Sequence, residues 1–383
     1  MTMPEVDRPV RAALVSPLPP PQGGIARWTA MIQRAAVSSD RVDVAVVDIA
    51  LRGRSIHQTT VARRIAAGVV QVVRAGAGLG WRALRRRPDV VHANTSGGLG
   101  VLRDLVLLAV ARAFRIAFVY HIRFGRVPGI AAARRLEWRL MRRVIGRAAA
   151  TVVLDAETER AVRTFAAPRR LVRIPNCIDL SVLPPTTPPT GSRVLFAGWV
   201  LPAKGVEDLL AAWRSVDVDG AELLLAGPCE PAYLARLRAA TADLPTVTFV
   251  GELPGPELLA LMARCDIFVL PSHSEGFPNA VLEAMALGRA VLASDVGAVA
   301  EMLADGCGVV VPPADPARLA AELVALLADP DQRVVSGQRA RRKAYDCYAL
   351  PSVLDRYEAL WRQVSGTVPA RRPAVPGVPR SGR

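Results

Sequence analysis

Short apolar runs, rich in valine, leucine and isoleucine, recur along the chain at residues 10–15, 42–49, 89–93, 116–121, 151–154 and 171–174. They recur again at 193–197, 223–226, 246–250, 266–270, 290–293 and 308–311. Most are apolar at nearly every position instead of at every second one, the pattern of strands buried on both faces of a parallel sheet. The stretches between them are long enough for helices, so the chain reads as strand and helix in alternation, an α/β protein with parallel, helix-covered sheets. The two sets of runs are separated by Leu183-Pro184-Pro185-Thr186-Thr187-Pro188-Pro189-Thr190-Gly191-Ser192, where prolines and polar residues cannot hold a core element. A chain of 383 residues also exceeds what one core usually organises. The expected division is a first domain over 1–182, a linker over 183–192, a second domain over 193–345, a terminal helix over 346–366, and a disordered Pro-, Arg- and Gly-rich tail over 367–383.

Charge changes this picture in one respect. Residues 1–180 carry 30 arginines and 12 acids, a balance of +18, whereas 181–383 carry 19 basic and 22 acidic residues, a balance of −3. A first domain with that field is drawn to anionic surfaces, whether a phospholipid headgroup, a lipid-linked diphosphate or nucleic acid. Nucleic acid is disfavoured by sparse aromatics and the lack of any helix-turn-helix, zinc or RNA-recognition signature. Segment 134–147 sets Leu136, Leu140 and Val144 at helical spacing among Arg135, Arg139, Arg142 and Arg143, with Trp138 beside them. It reads either as a helix packed on a sheet with a solvated arginine face or as an interfacial membrane helix. The apolar run 99–114 is broken by Arg103, Asp104 and Arg112, too short for a membrane span and expected to be a buried helix. No basic region followed by an apolar export signal is seen at the start, so a cytoplasmic protein, or one peripheral to the inner membrane face, is expected. Five cysteines without C-x-x-C spacing point to reduced thiols and to no metal site.

The candidate chemistry concentrates at 270–292. There a strand leads through Pro271-Ser272-His273-Ser274-Glu275-Gly276-Phe277-Pro278-Asn279 into a helix, which Gly288 ends before the next strand. Pro278 suits a first helical turn, where a missing N–H costs nothing. Unpaired N–H groups around Phe277, Pro278 and Asn279, with the positive end of the helix dipole, favour a phosphate. Glu283 lies one turn beyond Asn279, where its carboxylate can accept from a ribose diol, and Glu275 precedes the helix and can face a sugar. Asp217-Val218-Asp219 spells a metal-binding D-x-D but stands before Gly220 at a strand start, so it reads as a turn.

Glu275, seven intervening residues and Glu283, with Gly276-Phe277-Pro278 after the first, resemble the E-x7-E signature of the family-four retaining glycosyltransferases (glycosyl transferases group 1). In that family's order stand Gly23-Gly24, Pro88-Asp89-Val90-Val91-His92, His121, Ile174-Pro175-Asn176-Cys177-Ile178-Asp179, Lys204-Gly205-Val206 and Gly251-Glu252-Leu253, over about residues 10–361. The resemblance implies a GT-B fold, two Rossmann-like domains facing each other across a cleft, with the terminal helix crossing back to the first. It implies transfer of a sugar from a nucleotide diphosphate donor to an acceptor hydroxyl with retention. A UDP-sugar is expected ahead of a GDP-sugar, and with Lys204 and helix N–H groups to neutralise the leaving diphosphate no metal or other cofactor is expected. The basic first domain points to a glycan or lipid-linked acceptor in surface polysaccharide or glycolipid assembly.

The expected roles follow. His121, Lys204 and Glu275 carry catalysis. Gly23, Gly24, Lys204, Gly251, Glu252, Glu275, Gly276, Phe277, Pro278, Asn279 and Glu283 bind the donor. His92, Asn94 and Thr95 stand on the acceptor side or merely cap the following helix, and Arg123 is placed with them. Lys204 is one of two lysines among 47 arginines, which suits a point charge on a diphosphate. The family's usual arginine after the strand-end glycine is absent, since Gly198 is followed by Trp199. Either Lys204 and helix N–H groups suffice, or Arg123 or Arg27 supplies a second charge. A non-catalytic nucleotide-sugar or lipid-binding module, and a GT-B hydrolase or epimerase, are the rival readings.

Overall fold

The computed structural model describes residues 8–20, 23–50, 61–189 and 191–366. The expected tail over 367–383, and Thr190 of the linker, lie outside the described residues. The first sheet contains β1 (Val10–Ser16), β2 (Val42–Asp48), β3 (Val90–Thr95), β4 (Ala117–Ile122), β5 (Ala150–Val153) and β6 (Leu171–Arg173). The second contains β7 (Arg193–Ala197), β8 (Glu222–Ala226), β9 (Val247–Gly251), β10 (Ile267–Leu270), β11 (Ala290–Ser294) and β12 (Val309–Val311). All pairings within both sheets are parallel. These strands coincide with the apolar runs to within two residues at either end. The agreement has a simple cause: β5, β10 and β11 are buried at every position, so the demand for apolar residues there is nearly continuous.

Strand order is β2-β1-β3-β4-β5-β6 in the first sheet and β12-β11-β10-β7-β8-β9 in the second. The direction of winding therefore reverses between β1 and β3, and between β7 and β10. At such a reversal the flanking connections leave in opposite directions and open a crevice beyond the carboxyl ends of the strands. The two Rossmann-like domains face each other across a cleft formed there. The Asp217 and Asp219 turn lies before β8, at the opposite end of the second sheet from this crevice, with Gly220 at φ +70°.

The chain returns to the first domain after helix Pro330–Tyr348. Ile178 donates its backbone N–H to the Tyr348 carbonyl at 2.9 Å, and Leu350 donates to the Ile178 carbonyl at 2.9 Å. Helix Leu350–Ser365 then buries Val353, Leu354, Tyr357, Leu360 and Trp361 against Val10, Leu14, Trp28 and Ile32 of the first domain. The arginine-rich segment forms helix Leu136–Ile145, whose buried stripe is Trp138, Met141, Val144 and Ile145. Of the two readings of this segment, the packed helix is observed, with the stripe rotated: Leu136 is 69% exposed and Trp138 belongs to the core. Helix Gly100–Ala113 is buried on one face only, with Leu99, Leu102 and Val106 outside. The charges interrupting it turn inward as a pair, Arg103 donating to Asp104 at 2.7 Å and the Tyr120 hydroxyl donating to the same carboxylate at 3.1 Å. Among the described residues no helix is long and apolar enough to cross a membrane.

Candidate active site

The site is assembled at the reversal point of the second sheet. β7 ends at Ala197 and leads through Gly198 and Trp199 to a short 3-10 turn, Pro202–Lys204. Gly205 follows at φ +67°, and a Cβ there would stand 1.9 Å from the Pro271 carbonyl oxygen. Only glycine satisfies both conditions, so the Lys204-Gly205 pair brings the β7 loop onto the end of β10. Across it the β10 loop carries Glu275, and Lys204 donates from Nζ to Glu275 Oε1 at 2.5 Å. Both side chains are largely buried, at 26% and 12% exposure.

Helix Asn279–Ala286 begins immediately after, with Pro278 as its cap residue and not within its first turn. Its first N–H groups have no partner within the helix, as at any helix start. Gly288 at φ +69° lies just beyond its end.

The first domain closes on this loop through three contacts. A Cβ on Gly125 would lie 1.6 Å from the Glu275 carbonyl oxygen, so the backbones of 124–125 and 275–276 touch directly. Gly24, the first residue of helix Gly24–Val37, would place a Cβ 3.1 Å from Asn279 Nδ2. Asn176 donates from Nδ2 to the Phe277 carbonyl at 3.1 Å and to Asn279 Oδ1 at 2.8 Å, and accepts from Arg123 at 2.5 Å. A cleft of about 340 Å³ results, lined by Gly23, Gly24, Arg123, Asn176, Trp199, Lys204, Glu252, Glu275, Gly276, Phe277, Pro278 and Asn279.

Other expected site residues stand elsewhere. Gly251, at φ +84°, ends β9 and accepts from the Gly227 N–H at 2.8 Å; it does not line that cleft, though Glu252 does. Glu283 lines an adjoining cavity of about 330 Å³, with Arg27 between the two. Arg27 pairs with Glu283 at 2.5 Å across the domains, and burial raises the Glu283 pKa against the lowering effect of Arg27.

His121 is fully buried and is not among the residues that line the cleft; Trp28 packs edge-on against it at 5.7 Å and Tyr357 lies at 5.9 Å. His92 is equally buried, Asn94 donates to Ser16 Oγ at 2.7 Å, and Thr95 Oγ1 accepts from the Gly97 N–H at 3.2 Å. These contacts tie all three into the first domain and its turn. Sequence reasoning did not assign Asn176 a site role, although the motif containing it was visible, and it did not see that Arg27 would meet Glu283.

The histidine pair has a defined proton arrangement. Trp361 donates from Nε1 to His92 Nδ1 at 3.0 Å, which leaves His92 Nε2 to donate to His121 Nδ1 at 3.0 Å and puts the second histidine's proton on Nε2. Burial holds the His92 pKa down to about 3 and that of His121 well below the usual value, with Arg123 adding to both. The native state thus binds fewer protons than the unfolded chain from roughly pH 6.5 down to the depressed values, so stability is full above that range and falls with acidification. Glu283 and Asp104, whose pKa values are raised by burial, act in the opposite sense and offset part of the loss. Urea unfolding should give a midpoint that drops between pH 7.5 and 4.5 by an amount equivalent to a few kcal/mol. His92→Gln should flatten that slope, and an unchanged slope in the variant would refute the assignment.

Two facing α/β domains, each reversing its strand order at the cleft, form the GT-B architecture. The sequence profile of Glycosyltransferase Family 4 matches residues 22–182, and that of Glycosyl transferases group 1 matches residues 191–329. The chain belongs to this family, the group 1 or family 4 glycosyltransferases. It is 31% identical over 300 residues to an MMP alpha-(1->4)-mannosyltransferase of Mycolicibacterium hassiacum, covering 74% of this chain and 72% of that one. It is 32% identical over 235 residues to a GDP-mannose-dependent alpha-mannosyltransferase of Mycolicibacterium smegmatis, covering 57% and 58%. In fold it is similar to a sucrose-phosphate synthase from Thermosynechococcus elongatus, with a TM-score of 0.78 at 20% identity over 94% of this chain and all of that one. It is also similar to Anabaena Alr3699/HepE, solved in complex with UDP and glucose, with a TM-score of 0.70 at 15% identity over 92% and 100%.

Proposed function

We propose that this glycosyltransferase moves a sugar from a nucleotide diphosphate donor, a UDP-sugar in the first instance, to a hydroxyl of a glycan or lipid-linked glycan, with retention and without a metal ion. The observation that carries the reading is the Lys204 and Glu275 pair held against the start of helix Asn279–Ala286. A diphosphate at that helix start meets unpaired N–H groups and the Lys204 ammonium, which together offset the charge that develops as it leaves. Glu275, once its lysine turns to the phosphate, is free to accept from sugar hydroxyls. The bond from the anomeric carbon to the diphosphate oxygen breaks with its electron pair going to the diphosphate. The acceptor oxygen bonds the same carbon, and its proton is taken up on the departing phosphate. Retention rests on the family resemblance and is tested by the anomeric configuration of the product.

Glu283 is the proposed ribose acceptor. A nucleotide must then displace Arg27 from it, exchanging an ion pair for hydrogen bonds from the ribose diol. In a thermal-shift panel with UDP, GDP and ADP, one nucleotide should raise the midpoint by mass action. Glu283→Ala should weaken that nucleotide by about 10- to 100-fold, the usual worth of hydrogen bonds to a charged group. Wild-type affinity in the variant would remove the ribose role.

The GDP-sugar alternative has its own support in the mannosyltransferase relative named for GDP-mannose. A role at the inner membrane face is supported by Arg135, Arg139, Arg142 and Arg143, which stand exposed on and beside helix Leu136–Ile145. Since Trp138 is buried in the core, the attraction would be electrostatic and would weaken with salt.

A further inference from the structure

Arg123 is a buried cation without a counter-ion. It is 8% exposed, its guanidinium lies 4.1 Å from the centre of the Trp28 ring, and no carboxylate pairs with it among the described residues. One terminal nitrogen donates to Asn176 Oδ1, while Nε and the other terminal nitrogen make no well-formed hydrogen bond and have only the neutral Tyr357 hydroxyl close by. The titratable groups beside it, His92, His121, Cys177 and Tyr357, are all held neutral by burial. A guanidinium taken out of water among neutral groups is costly unless an anion reaches it. Its surroundings say where that anion comes from. Arg123 lines the cleft that contains Lys204, and Asn176 ties it to Phe277 and Asn279 at the helix start. Two residues further on, Gly125 lies directly on the Glu275 backbone.

We propose that Arg123 is the second cation of the diphosphate site, reaching from the first domain to the charge that position 199 of the second domain, a tryptophan here, does not supply. Asn176 is its positioning residue, holding the guanidinium fork toward the helix start. The other first-domain candidate, Arg27, is 41% exposed and already has a carboxylate partner in the absence of nucleotide, so unlike Arg123 it is not a buried cation in want of an anion. Arg126, on the same loop, is half exposed and lies 3.7 Å from Glu137. The inference rests on the reading of the cleft as a nucleotide-diphosphate site and adds to it that closing the two domains completes the phosphate clamp.

The test is calorimetric titration of UDP, GDP and UMP into the full chain, as wild type, Arg123→Gln, Trp199→Arg and the double variant, with Glu283→Gln as the nucleotide-site control. Arg123→Gln should weaken the preferred nucleoside diphosphate by about tenfold or more, the loss expected for charge-assisted bonds, and should weaken UMP by less than about threefold. Adding Trp199→Arg should restore diphosphate affinity to within about threefold of wild type, because it returns a guanidinium to the site from the other side. Diphosphate affinity within about twofold of wild type in Arg123→Gln, with Glu283→Gln still weakened, would overturn this inference and leave the nucleotide-site reading standing. Wild-type protein that binds neither UDP nor GDP would end both. Should Arg123→Gln fail to fold, Trp199→Arg alone decides: a gain below about threefold agrees with a cation already in place, and a gain of about tenfold or more overturns it.

Discussion

Gly125→Ala should fold and yet lose transfer by about two orders of magnitude. The new Cβ would fall 1.6 Å from the Glu275 carbonyl oxygen and 2.4 Å from its carbonyl carbon, and since both are backbone atoms no side chain can move to make room. Gly125 does not occupy the left-handed region, so alanine is compatible with its own backbone, and none of the three hydrophobic clusters includes it. The strain therefore falls on the contact between the domains. The loop after β4 must retreat from the loop after β10, and the chain of hydrogen bonds from Arg123 through Asn176 to Asn279 is pulled apart with it. A displacement of about 1 Å at a reacting centre is enough for a loss near 10²-fold. The check is kcat/KM beside a thermal midpoint, with Gly129→Ala as control, because Gly129 does not line the cleft and a Cβ on it meets nothing within 4 Å. A Gly125→Ala enzyme of normal rate would mean that this contact opens before chemistry.

Lys204→Ala should lower kcat by about 10²- to 10³-fold, the usual cost of removing one preorganised group that stabilises developing charge. The effect on folding should be small by comparison, since Glu275 keeps access to the cleft once its partner is gone. Lys204→Arg should rescue only in part. The ammonium reaches Glu275 as a compact point charge from a turn fixed by Gly205, and a planar fork does not fit the same short approach. Steady-state rates with a nucleotide-sugar donor, compared for the three proteins, test both statements. Equal losses in Lys204→Ala and Lys204→Arg would agree with a geometric requirement, and no loss in either would remove Lys204 from the chemistry.

Much of the fold was legible because parallel strands buried on both faces must be apolar at nearly every position. Such runs are visible without any tertiary information, and β10 and β11 around the helix start are the clearest case. The local placement of the candidate site residues was legible for a related reason. Lys204, Gly205, Glu275 and Pro278 sit at strand ends where turn geometry restricts the choice of residue, and Gly205 is required both by its φ and by the Pro271 carbonyl. Segment 134–147 was legible only as a helix, since hydrophobic spacing does not say which side meets a core; packing turned Trp138 inward and Leu136 out.

What periodicity and motif spacing could not reach were the contacts between residues hundreds of positions apart. His121 stands at the strand end where it was expected, but Trp28 and Tyr357, brought in from the two ends of the chain, pack their rings against it. Arg27 meets Glu283, and Asn176 bridges Arg123 to Asn279, only because two separately folded sheets are set face to face. The sequence by itself determined the strands, their alternation with helices and the turn chemistry at each strand end, since those are decided by neighbours along the chain. Only the tertiary structure decided which charges are paired, which histidine is enclosed and which arginine is left without a counter-ion, because burial and Coulomb energy depend on distance in space and not on separation in sequence.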